Sequence, residues 1–316
     1  MVRIHEKLLE YIVEMNKVFV LPPSEDWIVD RFVKEWNEDN LDISVSHPKD
    51  ADVIWLLADW AWKQLYHHGW LNGKKVLTTV HHIVPEKFDE ISRQDFLSRD
   101  KITSVYHVYN EKTREFIKEF TKKEIHLIPY WANQKIWKPS RVETKEALRK
   151  KYSLPLDAYV IGSFQRDTEG HDLISPKLEK GPDLLADFLD IENKRRPNLH
   201  VVLAGWRRQY LISRLKKSQV SFSYFERPEH YVINDLYQTL DLYPVTARCE
   251  GGPQALIECG LLNIPVISRN IGIASQVLSK DSINNDVSLA IPSIPNVEEW
   301  KLPMGYEPYR KLLSSI

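Results

Sequence analysis

Short runs rich in Val, Ile and aromatic residues alternate along the chain with longer segments in which apolar residues recur at a helical spacing. This alternation is typical of βαβ units and predicts parallel sheets covered by helices. In the first half, strands are predicted at Lys17–Leu21, Asp52–Leu57, Lys75–Val80, Ile102–Tyr106 and Ile125–Ile128. Helices are predicted between them, including Asp26–Trp36 and Glu111–Phe120, and Asn110 has the side chain of an N-cap for the latter.

A polar, charged stretch punctuated by Pro139 and Pro155 interrupts this alternation and predicts a linker. The alternation then restarts. Strands are predicted at 159–164, 199–205, 220–225, 241–246 and 264–270, with helices at Gly181–Lys194, at Ile233–Leu240 and after Pro253. The sequence therefore predicts an α/β protein with two Rossmann-like, doubly wound domains of similar size.

Composition restricts the classes of function that such a protein can have. The 316 residues include 43 Lys and Arg against 44 Asp and Glu, so no global positive charge attracts nucleic acid. Cys249 and Cys259 are too few for a disulfide scaffold, which suits a reducing compartment. The sequence shows neither a signal peptide nor an apolar run approaching the ~20 residues of a membrane span. We expect a soluble, cytoplasmic protein.

The stretch "ARCEGGPQALIECG", residues 247–260, holds the clearest candidate chemistry. Glu250 follows a predicted strand, at the edge of the sheet where α/β proteins bind ligands. Gly251 and Gly252 allow a sharp turn and a close approach to a ligand, and Pro253 suits the first position of a helix. The amino terminus of that helix suits a phosphate or a developing anion.

Glu258 lies about a turn and a half into this helix, roughly 7 Å along its axis. Two carboxylates so placed can contact different parts of one long polar ligand. The alternative is an ordinary strand, turn and helix in which Glu258 is only solvated.

These residues resemble a segment of the retaining, nucleotide-sugar-dependent glycosyltransferases of the GT-B fold, in the group 1, family 4-like set with an E-x7-E motif. The matching positions are Glu250, Gly251, Gly252, Pro253, Glu258, Pro265, Val266 and Gly272. Upstream, residues 127–166 look like the linker and first strand of that family's donor domain, and "KGPDLL" looks like its Lys-Gly motif. Together these motifs cover most of residues 127–277.

The resemblance implies roles for several donor-side residues. Arg166 and Lys180 match the basic pair that neutralises the donor diphosphate, although the segment between them is longer than the family usually has. Glu250 matches the carboxylate that holds the sugar hydroxyls, and Glu258 the one that binds the ribose. The predicted donor-binding set is Gly162, Arg166, Lys180, Glu250, Gly251, Gly252, Pro253, Gln254 and Glu258.

In the first half, His81 follows an apolar strand and resembles the family's strand-end histidine, which lines the donor sugar. It would donate a hydrogen bond to a sugar hydroxyl or to the reacting centre. His82 and a purely structural histidine are the alternatives. His81, Glu250, Arg166 and Lys180 form the predicted catalytic set.

The family's glycine-rich loop after the first strand is replaced here by "FVLPPSEDW", so its contacts do not transfer. Asp59 and Trp60 lie just past a predicted strand end, and indole faces stack well on sugar rings. We therefore expect Asp59 and Trp60 to contact the acceptor.

No metal site is expected. Asp50-Ala51-Asp52 precedes a predicted strand and so lies at the wrong edge of the sheet, and the histidines and cysteines lack zinc spacing. We expect no cofactor beyond the nucleotide sugar, which is a substrate.

The resemblance implies a GT-B protein whose two domains face each other across a cleft. Residues 1–138 would form the acceptor-side domain, 139–290 the donor domain and 291–316 a return segment. The implied reaction is metal-independent transfer of a sugar, with retention of configuration, from a nucleotide diphosphate sugar to a glycan, lipid or other hydroxyl acceptor. The alternatives are a nucleotide-sugar hydrolase or epimerase, or a non-catalytic nucleotide-sugar-binding protein.

Overall fold

The computed structural model describes residues 15–25, 28–140 and 142–316. The first two residues of the predicted helix Asp26–Trp36 lie outside the described residues. Among the described residues, no helix combines the length and the apolar character needed to cross a membrane.

The first domain is built on a parallel sheet. Its strands pair in the order in which they are numbered: β1 (Val18–Val20), β2 (Val53–Leu56), β3 (Lys75–Val80), β4 (Val105–Val108) and β5 (Ile125–Leu127). Residues 43–45 add to the outer edge of β1, because Val18 N–H donates to Ile43 O at 2.8 Å and Val45 N–H donates to Val18 O at 2.9 Å. The chain therefore reverses direction across the sheet between β1 and β2, which makes this sheet doubly wound.

The second domain repeats this plan with a different strand order. Its strands are β6 (Tyr159–Ser163), β7 (Leu199–Ala204), β8 (Ser221–Phe225), β9 (Tyr243–Val245) and β10 (Val266–Ser268). β6, β7 and β8 form one parallel sheet and β9 pairs with β10, while a parallel bridge between Ile161 and Leu242 brings the two groups together. The resulting order, β8-β7-β6-β9-β10, reverses between β6 and β9, so ligands are expected at the carboxyl ends of these two strands.

Helices connect the strands. In the first domain they are α1 (Ile28–Asp39), α2 (Lys63–Tyr66), α3 (Glu90–Asp100) and α4 (Glu111–Ile117). Those that follow are α5 (Lys145–Lys151), α6 (Pro182–Arg195), α7 (Gln209–Lys217), α8 (His230–Gln238), α9 (Gln254–Leu262), α10 (Ala274–Val277) and α11 (Glu307–Ser315). Short 3₁₀ turns occupy Pro48–Asp50, Asp59–Ala61, Pro85–Lys87, Leu178–Lys180, Lys280–Ser282, Val287–Leu289, Glu298–Trp300 and Met304–Tyr306.

The α/β prediction of two doubly wound domains is confirmed, with differences at particular elements. Asn110 caps α4 as predicted, accepting a hydrogen bond from Thr113 N–H at 2.9 Å. β4 begins at Val105 rather than Ile102, because Ile102 and Thr103 are still hydrogen-bonded to Arg99 O at the end of α3. Helix α7 and the pairing segment 43–45 are not predicted from the sequence.

The carboxy-terminal segment packs on the first domain. Tyr309 of α11 is fully buried, its ring lies 5.3 Å from that of Trp55, and its hydroxyl donates to Pro129 O at 2.8 Å. Trp36 stacks edge-on against Trp55 at 5.0 Å. Large aromatic side chains of this kind contribute heavily to a core, so the end of the chain is part of the first domain's packing.

The turn before α6 requires a glycine at position 181. Its φ is +62°, and a Cβ there would lie 2.1 Å from Thr246 O, so any side chain is excluded. We expect Gly181→Ala to lower the free energy of unfolding by several kcal/mol, because the crowding adds to the left-handed backbone's cost of about 1–2 kcal/mol. Urea unfolding measures this loss.

Gly73→Ala is the matched control, since Gly73 has φ +72° and no atom within 4 Å of the added Cβ. In Gly73→Ala the free energy of unfolding should fall only by the backbone cost of about 1–2 kcal/mol. Equal losses in the two variants would contradict the steric explanation.

Candidate active site

Lys180 and Glu250 form an ion pair at the reversal point of the second sheet. Lys180 ends the 3₁₀ turn before α6, and Glu250 follows β9. The Lys180 Nζ lies 2.5 Å from Glu250 Oε1, and the two side chains are 24% and 10% exposed. Two residues predicted as catalytic and 70 positions apart in sequence are thus brought together, with part of each accessible from the cleft.

Arg166 lies three residues past the end of β6, on the same edge of the sheet. Its side chain is exposed and has no ion-pair or hydrogen-bond partner among the described residues. A guanidinium at this place can receive an anion without first breaking an internal contact.

The Gly-Gly turn makes a close approach, but to the first domain rather than to a ligand. A Cβ on Gly251 would lie 2.2 Å from His81 O, and one on Gly252 would lie 2.3 Å from Tyr130 Cε2. Asn110 Nδ2 donates to Gly251 O at 2.7 Å. These glycines therefore make room for the first domain, and the predicted contact of their backbone with a donor stays a prediction.

Gly162 also has a packing role. It is buried within β6, and a Cβ there would meet Leu240 Cδ1 at 2.3 Å. The packing of Leu240 against the sheet is therefore sufficient to explain why a glycine occupies position 162, without a contact to a donor.

Helix α9 begins at Gln254, so Pro253 precedes the helix rather than occupying its first position as predicted. The first N–H groups of α9 still lie directly after the Gly-Gly turn. The Nε2 of Gln254 is buried without a hydrogen-bond partner in the described part of the chain. An unsatisfied donor beside a helix amino terminus suits a ligand with acceptor oxygens.

His81 differs from its predicted role. Its Nε2 lies 2.8 Å from Leu57 O, and because a carbonyl only accepts, Nε2 is the protonated nitrogen. Its Nδ1 faces the Tyr130 hydroxyl at 3.5 Å. Burial lowers the pKa of His81, so the ring is neutral and its one N–H is already used. The expected hydrogen bond from His81 to a sugar is therefore not available in this arrangement.

His82 faces the cleft instead. It lines a cavity of about 460 Å³, and its imidazole has no hydrogen-bond partner among the described residues. Burial lowers the pKa of His82, and the nearby Glu250 and Lys180 act on it in opposite directions. Of the two candidate histidines, His82 is the one that lies beside the Lys180–Glu250 pair with its ring nitrogens unused.

Glu258 is buried beneath protein side chains. Its Oε2 accepts a hydrogen bond from the Tyr237 hydroxyl at 2.7 Å, and its Oε1 lies 3.8 Å from Arg31 Nη1 of α1. Burial raises the pKa of Glu258, while Arg31 opposes that change. The alternative of a merely solvated Glu258 is wrong. A ribose contact stays a prediction and would compete with Arg31, a residue that sequence reasoning missed.

A cavity of about 460 Å³ opens in the first domain beside His82. Apolar and paired charged side chains line it: Asp59, Val80, His82, Ile83, Val84, Lys87, Phe88, Ile91, Ser92, Asp95, Phe96 and Arg99. Asp59, one of the two residues expected to contact the acceptor, is among them and pairs with Arg99 at 2.8 Å. Trp60 lies outside this lining, and its Nε1 donates to Glu25 Oε1 at 2.9 Å.

The long segment between Arg166 and Lys180 folds into a hairpin. Thr168 and Pro176 form an antiparallel bridge, and the buried Asp167 anchors the hairpin by pairing with the fully buried Arg208 at 3.2 Å. Lys87 of the first domain reaches Glu169 at 2.9 Å and Glu179 at 3.1 Å. The segment between Arg166 and Lys180 thus forms contacts between the two domains beside Lys180.

A basic and aromatic cluster at the ends of β7 and β8 was also missed by sequence reasoning. Trp206 is 45% exposed, and the guanidinium carbons of Arg207 and Arg227 lie 4.9 and 4.6 Å from its ring centroid. Both arginines have positive φ, 59° and 45°, which is uncommon for residues other than glycine. The sequence does carry a signal for this cluster, since all three residues lie within two positions of the end of a predicted strand.

Within the described part of the chain, no group of three His, Cys, Asp or Glu side chains could hold a metal ion.

Residues 175–290 match the model of the family described as "Glycosyl transferases group 1". Comparison with curated proteins finds no match.

Among solved structures, the chain is similar to Anabaena HepE in complex with UDP and glucose, with a TM-score of 0.71 at 13% identity over 87% of this chain and 88% of that one. It is also similar to sucrose-phosphate synthase from Thermosynechococcus elongatus (TM-score 0.61, 16% identity, 91% and 78% covered). A glycosyltransferase from Rickettsia africae gives a TM-score of 0.56 at 17% identity, with 85% and 72% covered. At these low sequence identities, the structural similarity establishes the fold alone.

The Lys87–Glu179 link predicts an acid-dependent stability. Burial alone would raise the pKa of Glu179, but backbone hydrogen bonding and the ammonium groups of Lys177 and Lys87 outweigh it and lower that pKa to about 2. Because the folded pKa lies below the ordinary value of 4.5, the stabilisation is complete above about pH 4.5 and is lost as the pH falls towards 2.

Glu179→Gln should therefore lose less free energy of unfolding than the wild type between about pH 5 and pH 2. The difference should be on the order of 1 kcal/mol, since solvent screens part of the interaction. Urea unfolding at a series of pH values measures it. Parallel pH profiles for the two proteins would contradict the proposed charge network.

Proposed function

We propose that the protein transfers a sugar from a nucleotide diphosphate sugar to an acceptor hydroxyl with retention of configuration. The match of residues 175–290 to the model of the glycosyl transferases group 1 family, on a chain with the GT-B fold, supports this proposal. The observation that carries the proposal is the Lys180–Glu250 ion pair, at the point where the second sheet reverses. The exposed Arg166, three residues past the end of β6, lies at the same edge of that sheet.

Each of these residues has a physical role in the proposed reaction. Lys180 and Arg166 supply fixed positive charge where the leaving diphosphate gains negative charge. Glu250 accepts hydrogen bonds from hydroxyls of the donor sugar, and its contact with Lys180 holds it in place. The amino terminus of α9 adds N–H donors to the same region.

The proposed reaction requires no nucleophile from the protein. The bond between the anomeric carbon and the diphosphate oxygen breaks, and its electron pair stays on that oxygen. The acceptor oxygen bonds to the same face of the anomeric carbon, and its proton passes to the departing diphosphate. The products are a glycoside with unchanged anomeric configuration and a nucleoside diphosphate.

The identity of the donor nucleotide can be tested directly by binding. The similar structure HepE has been solved with UDP and with UDP-glucose, so UDP-glucose is the first candidate. We further propose that donor binding needs no metal, because Lys180, Arg166 and the amino terminus of α9 all lie at the carboxyl edge of the second sheet and would together neutralise the diphosphate.

UDP, GDP, ADP and dTDP, with their sugars, should be screened for thermal stabilisation of the protein in EDTA. A ligand that binds only the folded state raises its melting temperature, so one nucleotide series should give a selective shift that EDTA does not remove. A shift that requires a divalent cation would contradict metal independence, and no shift with any nucleotide would contradict the donor site.

Lys180→Ala and Arg166→Ala should each weaken binding of the selected nucleotide about tenfold or more, because a hydrogen bond to a charged group contributes roughly 1.5–3 kcal/mol. Lys216→Ala is the matched control, since Lys216 is an exposed lysine at the end of α7. Titration calorimetry measures all three. Equal affinities across the three variants would contradict the assigned roles.

The product distinguishes transfer from the alternatives. An α-linked donor should give an α-linked product in proton NMR of the reaction, with Glu250→Gln losing activity. Release of free sugar without an acceptor would indicate a hydrolase, and a rearranged nucleotide sugar an epimerase. Donor binding with no product from any acceptor would indicate a binding protein.

A further inference from the structure

We propose that the acceptor is an uncharged hydroxyl compound bearing an apolar ring or chain, and that it binds in the 460 Å³ cavity of the first domain. This inference rests on the proposed function and deepens it, because it names the chemical class of the second substrate.

The position of the cavity supports an acceptor rather than a donor. It lies wholly in the first domain, between the end of β3 and helix α3, and its lining includes His82. His82 is also the residue on which Glu250 and Lys180 act electrostatically from the other domain. A molecule in the cavity therefore has one end beside the donor-side ion pair.

Six of the twelve side chains that line the cavity are apolar: Val80, Ile83, Val84, Phe88, Ile91 and Phe96. Ile91 is 81% exposed at the rim, although an isoleucine gains free energy when it is covered. A ligand with an apolar ring or chain would cover Ile91 and the half-buried Phe88, whereas Phe96 is already buried.

The charged groups of the lining are already paired. Asp59 and Asp95 both contact Arg99, at 2.8 and 3.2 Å, and Asp95 also contacts Lys63 at 2.6 Å. Lys87 is held between Glu169 and Glu179 of the donor domain. Binding a phosphate, sulfate or carboxylate here would require an existing pair to break, so the cavity favours an uncharged ligand.

His82 supplies the polar contact at the reacting end. Its unused ring nitrogens can accept and donate a hydrogen bond, which suits a hydroxyl that acts as both donor and acceptor. The acceptor hydroxyl would thus be held beside Glu250 and Lys180, while its apolar part lies towards Ile91.

The test compares three probes that share one sugar: phenyl β-glucoside, glucose and glucose 6-phosphate. Binding is measured by saturation-transfer NMR and calorimetry, with the selected nucleotide present. The expected order places phenyl β-glucoside first, with glucose at least about tenfold weaker and glucose 6-phosphate weakest. Tighter binding of the phosphate, or no binding of any probe to protein that still binds nucleotide, would overturn the proposal.

Ile91→Asp and Ile174→Asp form a matched pair of variants, because both isoleucines are exposed, at 81% and 75%, but only Ile91 lines the cavity. Ile91→Asp should weaken phenyl β-glucoside binding about tenfold, and Ile174→Asp should leave it unchanged. Equal effects in the two variants would overturn the assignment of the cavity.

The nucleotide-induced thermal shift, measured on the same samples, separates this proposal from the proposed function. If Ile91→Asp keeps the nucleotide-induced thermal shift but loses phenyl β-glucoside binding, both the proposed function and the proposed acceptor site are supported. Glucoside binding without any nucleotide shift would leave the ligand class of the cavity supported and overturn the transferase function.

Discussion

The contact between the Gly-Gly turn and the end of β3 determines how the two domains meet. Gly251 lies against the His81 carbonyl and Gly252 against the Tyr130 ring, at distances that any Cβ would violate. Because these glycines sit directly after Glu250, the same contact places Glu250 close to His82. The Cys249 Sγ–H donates to Ile83 O at 3.3 Å on the other side of the turn. The active-site geometry is thus a consequence of backbone packing between domains.

The two sides of the cleft differ in how their charges are satisfied. In the second domain, Arg166 has no ion-pair partner among the described residues, and Lys180 shares its one charge with Glu250. In the first domain, Arg99 and Lys87 each lie between two carboxylates. An anion is therefore favoured beside the second domain, where fewer existing contacts must be broken.

The sequence predicts the strands well because central strands of a parallel sheet are buried on both faces and read as continuous apolar runs. Helix α7 is harder to predict, since its segment "QYLISRLKK" is short and dominated by basic and polar residues. The edge pairing of residues 43–45 depends on β1, more than 20 positions upstream, and has no strong local signal.

The candidate site is predictable where function depends on local motif and less so where it depends on distant contacts. The motifs around Lys180 and Glu250 predict that these two residues lie at one site, and their side chains do form an ion pair. His81 and His82 are adjacent, and only the structure shows that the first ring is used by Leu57 O and the second faces the cleft. Arg31 approaches Glu258 from 227 positions away, so no spacing in the sequence could indicate that pair.

The chain passes between the domains twice, and the two passages lie side by side. Ala132 N–H donates to Trp300 O at 2.7 Å, and Leu302 N–H donates to Ala132 O at 3.3 Å. Two hydrogen-bonded passages restrict rotation of one domain against the other more than a single linker would. The relative orientation of the domains, and with it the position of Glu250 beside His82, is therefore fixed at two points of the chain.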